Sequence, residues 1–406
     1  AEKYTVRMGG CASCPIRCQS QMKFPVLETY GYSPYVASTC VGFFSPGSIM
    51  IKGAADVNEK GDGSMLARAL GAQITNDLGI WCNYSQLPKD FDYAYSKGIL
   101  KKVLSEEEYK SLRFDLLEAK DITFLKYFYE AIAYKKGEFW HIADGSTAIA
   151  ERWKFGEDFF NDKKYTVWSK AMSYPKHHSN EAGCSQVGTL ISMIKNRDAQ
   201  NHSHMNFIGS GLPLAKQKEI AAEIWGSPNA VDGVLDYTPM HVSKAKFAKW
   251  SLVKLALHDS LTLCNWMWPM TVSPLKERNY RGNLTLEAQY YSVATGVKKT
   301  EAELDFDAER TLHLHRAMTM LSMGTKDMRK EHDAPPSWVF DEDPDKKPFT
   351  KGTDKMDRAD MEIAMDMFYA EMGWDKATGA VTKATLLKFG MADVAAALDK
   401  AGLLVG

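Results

Sequence analysis

Apolar positions recur along most of this chain at helical rather than strand spacing. From about Ser64 the pattern is helical. Asp121 to Lys136 carries its aromatic residues on one side and reads as an amphipathic helix. His241 to Trp268 reads as a long helix. Within it Trp250, Val253, Leu257, Leu261 and Cys264 follow one another at steps of three, four, four and three. That spacing places them on one stripe and turns Cys264 inward if the helix runs that far. Ser105-Glu-Glu-Glu108 and Thr300-Glu-Ala-Glu303 both have the capping-box form that opens a helix. A last helix is expected over Asp357 to Met372, after a charged, Pro- and Gly-containing loop at 341–356. Strand signals are few, and the first 51 or so residues, rich in Gly, Ser, Pro and Cys, read as loops wrapped around a site. Residues 156–180 look irregular. A domain boundary is therefore expected near residue 170, dividing the chain into 1–170 and 171–406. The fold class is mainly α, with two helical domains.

A length of 406 residues exceeds one compact core and fits two domains or three. The net charge of -1 supplies no bulk attraction for nucleic acid or an anionic membrane surface, so neither is expected as a partner. No apolar run has the length to cross a bilayer. The opening AEKYTVRMGG lacks both a signal-peptide pattern and an initiating methionine, which fits a fragment or a processed chain. The twenty methionines and ten tryptophans fit large, irregular helical interfaces.

The seven cysteines change the picture most. Cys11, Cys14 and Cys18 have the spacing C-x-x-C-x-x-x-C, which brings three thiolates onto one short loop. An odd cysteine count in a large chain argues against a disulfide framework, and for metal ligation in a reducing, cytoplasmic compartment. A cubane iron–sulfur cluster needs four thiolates. Cys264 is the best fourth donor, being remote in sequence and at the end of an apolar stripe. Structural zinc is the competing reading, although zinc sites more often show two separated C-x-x-C pairs and here the second is missing. Pro15 excludes the haem-attachment form. Cys40 and Cys184 read as ordinary buried thiols.

At this point the chain resembles the aldehyde ferredoxin oxidoreductases, a family of tungsten or molybdenum pterin enzymes. Four places carry the resemblance. The first is the Cys11–Cys18 motif. The second, Asn76-Asp-Leu-Gly79-Ile80-Trp81, is similar to the family's D-x-x-G-L-D pterin loop. The third, Asp259-Ser-Leu-Thr262-Leu263-Cys264, is similar to its D-x-x-G-L-C loop, in which the cysteine is the fourth cluster ligand. The fourth is the tail: Ala294-Thr295-Gly296, Thr300 to Leu304, Glu309-Arg310, then Gly373-Trp374-Asp375 with Gly379 and Thr382. Phrases such as NYRGNLTLEA and GTDKMDRADM look most like a bacterial branch with no settled substrate.

The resemblance implies the family's C-terminal domains 2 and 3, with the N-terminal β-rich pterin domain missing from this chain and supplied in cis or in trans. It implies a [4Fe-4S] cluster on Cys11, Cys14, Cys18 and Cys264, and a tungsten or molybdenum bis-pterin contacted by Asn76, Asp77, Gly79, Ile80, Asp259 and Leu263. A small aldehyde-like substrate would be oxidised and a ferredoxin-type carrier would take the electrons. The alternative is a non-catalytic electron-transfer or structural half that needs a separate pterin-binding polypeptide; a zinc-stabilised helical binding protein is the third reading.

There are departures. Asn76 stands where the family has Asp, Trp81 where the first loop ends in Asp, and Thr262 where the second loop has Gly. If that last position needs a positive φ, Thr pays a conformational cost there. The family's intersubunit metal carboxylate falls at Leu70 and is not carried over. For catalysis the candidates are His202, His204 and Glu28: two histidines in a polar island able to move protons, and a carboxylate at a place the family often uses. His177 and His178 with Glu181 form a second polar island. Each of these groups has an equally serviceable structural role, and Asp259 has one too, as a partner for Lys254 or a helix cap.

Overall fold

The computed structural model describes residues 2–10, 17, 19–38, 62–80, 91, 94–154, 185–194, 207–231, 238–264, 267–333, 340 and 357–406. The described residues are mostly helical. The chain divides into two compact units: the described part of the first ends at Lys154, and that of the second begins at Ser185.

The first unit opens with strands β1 (Thr5–Gly9), β2 (Gln19–Lys23) and β3 (Tyr35–Ser38), paired antiparallel in that order. This corrects the expectation of loops. The strands escape a pattern search because they are only four or five residues long; β1 does alternate, Thr5-Val6-Arg7-Met8, but over too few residues to stand out. Gly9 pairs with Gln19, which makes neighbours of the residues flanking the three-cysteine segment. Helix α1 (Asp62–Asp77) buries Ala67, Ala69, Leu70, Ala72 and Ile74. Gln73 fastens it to the sheet by donating to the Ser33 and Tyr35 carbonyls at 2.8 and 2.9 Å. Leu70 is thus a core residue, unsuited to metal ligation.

Helix α2 (Thr123–Ala133) is the aromatic helix, shorter at each end than the pattern suggested. Asp121 accepts from the Thr123 amide at its start, and Lys135 takes a left-handed φ of 54° after its end. Its Phe124 and Phe128 pack with Phe91, Phe114 and Phe139 in one aromatic core. Helix α3 (Ser146–Trp153) is held by Glu138, which accepts from the Trp153 indole and pairs with Arg152. The Ser105 capping box is present, with both reciprocal bonds.

The second unit contains α4 (Ser185–Ile194), α5 (Leu214–Trp225), α6 (Val242–Leu261), α7 (Leu286–Thr295), α8 (Glu301–Met323), α9 (Arg358–Met372), α10 (Lys383–Lys388) and α11 (Ala392–Lys400). α6 is central, packed by α4, α8 and α9. It is therefore buried nearly all round, even at Lys244, Lys254 and His258. The Thr300 capping box opens α8 as expected. Val253 and Leu257 pack with Ala288, Leu304 and Ala308, closing the α6–α7–α8 seam.

Two expectations need correction here. α9 is not the last helix, since α10 and α11 follow it. And α6 stops at Leu261, so the apolar stripe does not reach Cys264, which is exposed. The tail is anchored by a buried pair: Arg316 Nη1 donates to Asp333 Oδ1 at 2.8 Å and Arg316 Nε to the Gly379 carbonyl at 2.9 Å. The Tyr369 hydroxyl donates to the same Asp333 at 2.6 Å, and the Arg316 guanidinium lies 4.4 Å from the Trp374 ring centroid.

Candidate functional site

The two segments singled out for the pterins are both helix C-termini, built alike. At the end of α1, Gly79 has φ 66°, and the Ile80 amide reaches back to the Thr75 carbonyl at 2.9 Å. At the end of α6, Thr262 has φ 55° and ψ 32°, and the Leu263 amide reaches back to the His258 carbonyl at 2.9 Å. Thr75, Asn76, Gly79 and Ile80 in one loop thus occupy the places of His258, Asp259, Thr262 and Leu263 in the other. Each helix ends in a left-handed residue followed by a six-residue back-bond, the arrangement that closes helices at glycine. A threonine in the second loop accepts the strained conformation that Gly79 adopts freely.

Asn76, Asp77 and Asp259 are exposed, as are Gly79 and Thr262, while Ile80 and Leu263 are half-buried. Asp77 and Asp259 sit in or beside the last turn of their helices, where the macrodipole is negative and an acid costs about 0.3–1 kcal/mol. Helix stability therefore gives no reason for either acid. Together with the outward-facing carbonyls of a helix C-terminus, they form a surface of hydrogen-bond acceptors. Such a surface suits a ring system rich in N–H donors, so the residues present fit a pterin. Lys254 pairs with Asp305 at 2.7 Å.

Cys264 follows the second turn directly and carries a free, exposed thiol. Its carbonyl accepts the amides of Met267 and Trp268, both at 3.0 Å, which fixes the chain on its far side. An accessible thiol on a backbone pinned at both ends fits a metal ligand. Cys11, Cys14 and Cys18 lie outside the described residues, as do Cys40, Cys82, Cys184, Trp81, His177, His178, Glu181, His202 and His204. Among the described residues, no three His, Cys, Asp or Glu side chains gather where an ion could sit. Glu28 is exposed on the short helical turn Pro25–Tyr30 between β2 and β3. Beyond Cys264 a cavity of about 590 Å³ is lined by Met267, Met270, Thr271, Arg278, Asn283 and Leu286, among others.

Reading the sequence missed a buried pair behind the second turn. His258 Nε2 lies 2.8 Å from Glu287 Oε1 on α7, and both side chains are shut away from water. The available signal was the placement of Lys254 and His258 beside Val253 and Leu257 on a helix otherwise read for its apolar stripe.

The family model described as aldehyde ferredoxin oxidoreductase, domains 2 and 3, matches residues 1–391. Among solved structures the chain is similar to one from the active site complex BamBC of benzoyl coenzyme A reductase in complex with 1,5-dienoyl-CoA. The TM-score is 0.63 at 16% identity, over 100% of this chain and 56% of that one. The chain thus spans about half the length of that relative, and at this identity the likeness is one of fold.

Proposed function

The chain belongs to the aldehyde ferredoxin oxidoreductase family, corresponding to its domains 2 and 3, and from this we propose that it serves a two-electron oxidoreductase acting on a small aldehyde-like molecule. The observation that carries the reading is the matched pair of helix ends, each offering exposed acceptors that helix stability does not explain.

In this reading Asn76 and Asp77 on one turn, and Asp259 on the other, accept N–H bonds from a bis-pterin. Gly79 and Thr262 hold the turns open, while Ile80 and Leu263 shield their inner sides. Cys264, with Cys11, Cys14 and Cys18, supplies the thiolates for a [4Fe-4S] cluster. When bound, the tungsten or molybdenum pterin centre supplies the oxidation chemistry and the cluster the route by which electrons leave toward a ferredoxin-type carrier. His202, His204 and Glu28 are the side chains proposed to hold or move the proton that substrate oxidation releases. A pterin-binding domain, in cis or in trans, completes the site, in a reducing cytoplasmic setting.

Anaerobic purification followed by iron, sulfide, zinc, tungsten and molybdenum analysis tests the reading. Roughly four irons and four sulfides per chain, lost in Cys264→Ala, are expected. Zinc without sulfide would overturn it. Iron and sulfide without tungsten or molybdenum would instead favour an electron-transfer half that works with a separate pterin-binding polypeptide.

A further inference from the structure

The loop from Met267 to Leu286 closes on itself before α7 begins. The Ser273 amide donates to the Tyr280 carbonyl at 2.9 Å and the Gly282 amide to the Thr271 carbonyl at 3.1 Å. These bonds draw the two arms of the loop into a short antiparallel contact, with Val272 paired to Arg281. The far end of the loop is tied to α5. Lys216 donates to the Asn279 side chain at 2.9 Å, and Arg281 pairs with Glu219 at 2.7 Å and with Glu223. At the near end the Met267 amide is held by the Cys264 carbonyl at 3.0 Å. A loop fixed at both ends and across its middle has its walls in place before any ligand arrives, so binding costs little in ordering.

These walls enclose the cavity of about 590 Å³. Small-molecule sites have volumes of roughly 300–1,000 Å³, a mainly apolar lining and a few polar groups that fix orientation. Met267, Pro269, Met270, Val272 and Leu286 supply the apolar lining here, and unbranched methionines adapt to the shape of what they meet. Among the described residues no aspartate or glutamate lines the cavity.

Two lining side chains carry hydrogen-bond donors that the fold does not use. Arg281, the neighbouring cation, is occupied by its two glutamates. Arg278 is exposed and, among the described residues, its guanidinium has no ion pair and no hydrogen bond. Asn283 uses its Oδ1 to accept the Thr285 amide at 3.0 Å and the Thr285 hydroxyl at 2.6 Å, where α7 begins. Its side-chain NH₂ is left without a partner among the described residues. The cavity thus combines an apolar interior with one uncompensated cation and one amide donor. A guanidinium presents paired N–H groups that match the two oxygens of a carboxylate.

We infer that this cavity binds a small monocarboxylate with an apolar body, aliphatic or aromatic. The carboxylate meets Arg278 and Asn283, and the body lies against Met267, Met270 and Leu286. No bond is made or broken. The inference needs neither the cluster nor the pterins, so it stands or falls separately from the proposed function.

The test is a titration of the chain, labelled with ¹³C-methyl methionine, with benzoate and with hexanoate, followed by methyl nuclear magnetic resonance. Met267→Leu and Met270→Leu assign the two signals. Both should move, and saturate, with either carboxylate. Benzamide, which keeps the apolar body and loses the charge, should bind about tenfold more weakly than benzoate, as should benzoate to Arg278→Gln. Arg278→Lys should recover part of the loss. Inorganic phosphate, charged but without an apolar body, should leave both signals in place. Signals that stay still with benzoate and hexanoate would overturn the inference. So would equal binding of benzamide and benzoate, undiminished binding to Arg278→Gln, or a response to phosphate as strong as to benzoate. Should Arg278→Gln fail to fold, the comparison of benzoate with benzamide on wild type decides the matter.

Discussion

Replacing Thr262 by glycine should stabilise the second unit. Thr262 holds φ 55° and ψ 32°, a left-handed conformation that costs an L-residue about 1–2 kcal/mol. Glycine removes that penalty but gives back about 0.4–1 kcal/mol through greater freedom of the unfolded chain. The lost Thr262 hydroxyl bond, 2.7 Å to the Leu261 carbonyl, is exposed and is replaced by water at little net cost. The expected net gain is about 1 kcal/mol. In a unit of this size that is a rise of roughly 2–4 °C in melting temperature. Gly79→Ala is the mirror experiment. No atom lies within 4 Å of the added Cβ, so the effect is conformational alone: a strain of about 1–2 kcal/mol, partly offset by a stiffer unfolded chain, for a net cost of about 1 kcal/mol. Two units can unfold separately, so the assay is denaturant unfolding combined with hydrogen exchange of the amides of Thr262 and Leu263, and of Gly79 and Ile80. If Thr262→Gly leaves protection and stability unchanged or lower, the second turn is not held against the threonine's preference, and the equivalence of the two turns is refuted.

With both proteins stripped of metal, Cys264→Ala should leave the unfolding free energy within about 0.5 kcal/mol of wild type, since the thiol is exposed, while on reconstitution the variant should bind no iron; a large loss of stability in the metal-free comparison would mean that the thiol has a packing role. Arg316→Met should cost about 3–5 kcal/mol in urea unfolding, because it strands Asp333 without its cation in the interior. Burial pushes the Asp333 carboxyl up, but the Arg316 charge and hydrogen bonds from His332 and Arg316 outweigh it and hold the group at about 2, below its ordinary 3.8. A depressed carboxyl stabilises the fold above the unfolded value, so about 2 kcal/mol should be present above roughly pH 4 and disappear as pH falls toward 2. Acid titration of stability in wild type and Asp333→Asn checks this, and an equally steep fall in the variant would refute it. Gly282→Ala would place a Cβ 1.7 Å from the Met270 carbonyl oxygen, forcing the 270–282 turn apart at a cost of about 1–3 kcal/mol or more in thermal melts.

Much of the helical framework was legible in the sequence, because its signals are local. Capping boxes at Ser105 and Thr300 declare themselves within four residues, and the aromatic face of α2 repeats at the helical period. The candidate residues at the two turns came from resemblance to the family's loops rather than from residue type or spacing, and of the cysteines picked out by their spacing, three of the four lie outside the described residues. The three-stranded sheet was not legible, since its strands are only four or five residues long and their pairing is made by backbone groups. The end of α6 was misread because apolar spacing continues past Leu261, whereas a left-handed Thr262 stops the helix and turns Cys264 to the surface. Nor does spacing along one helix reveal what stands across from it. That His258 meets Glu287, and Lys254 meets Asp305, is decided by how α6, α7 and α8 pack. Local chemistry is written in consecutive residues, but the partner of a buried charge is chosen by tertiary structure, where water no longer competes for it.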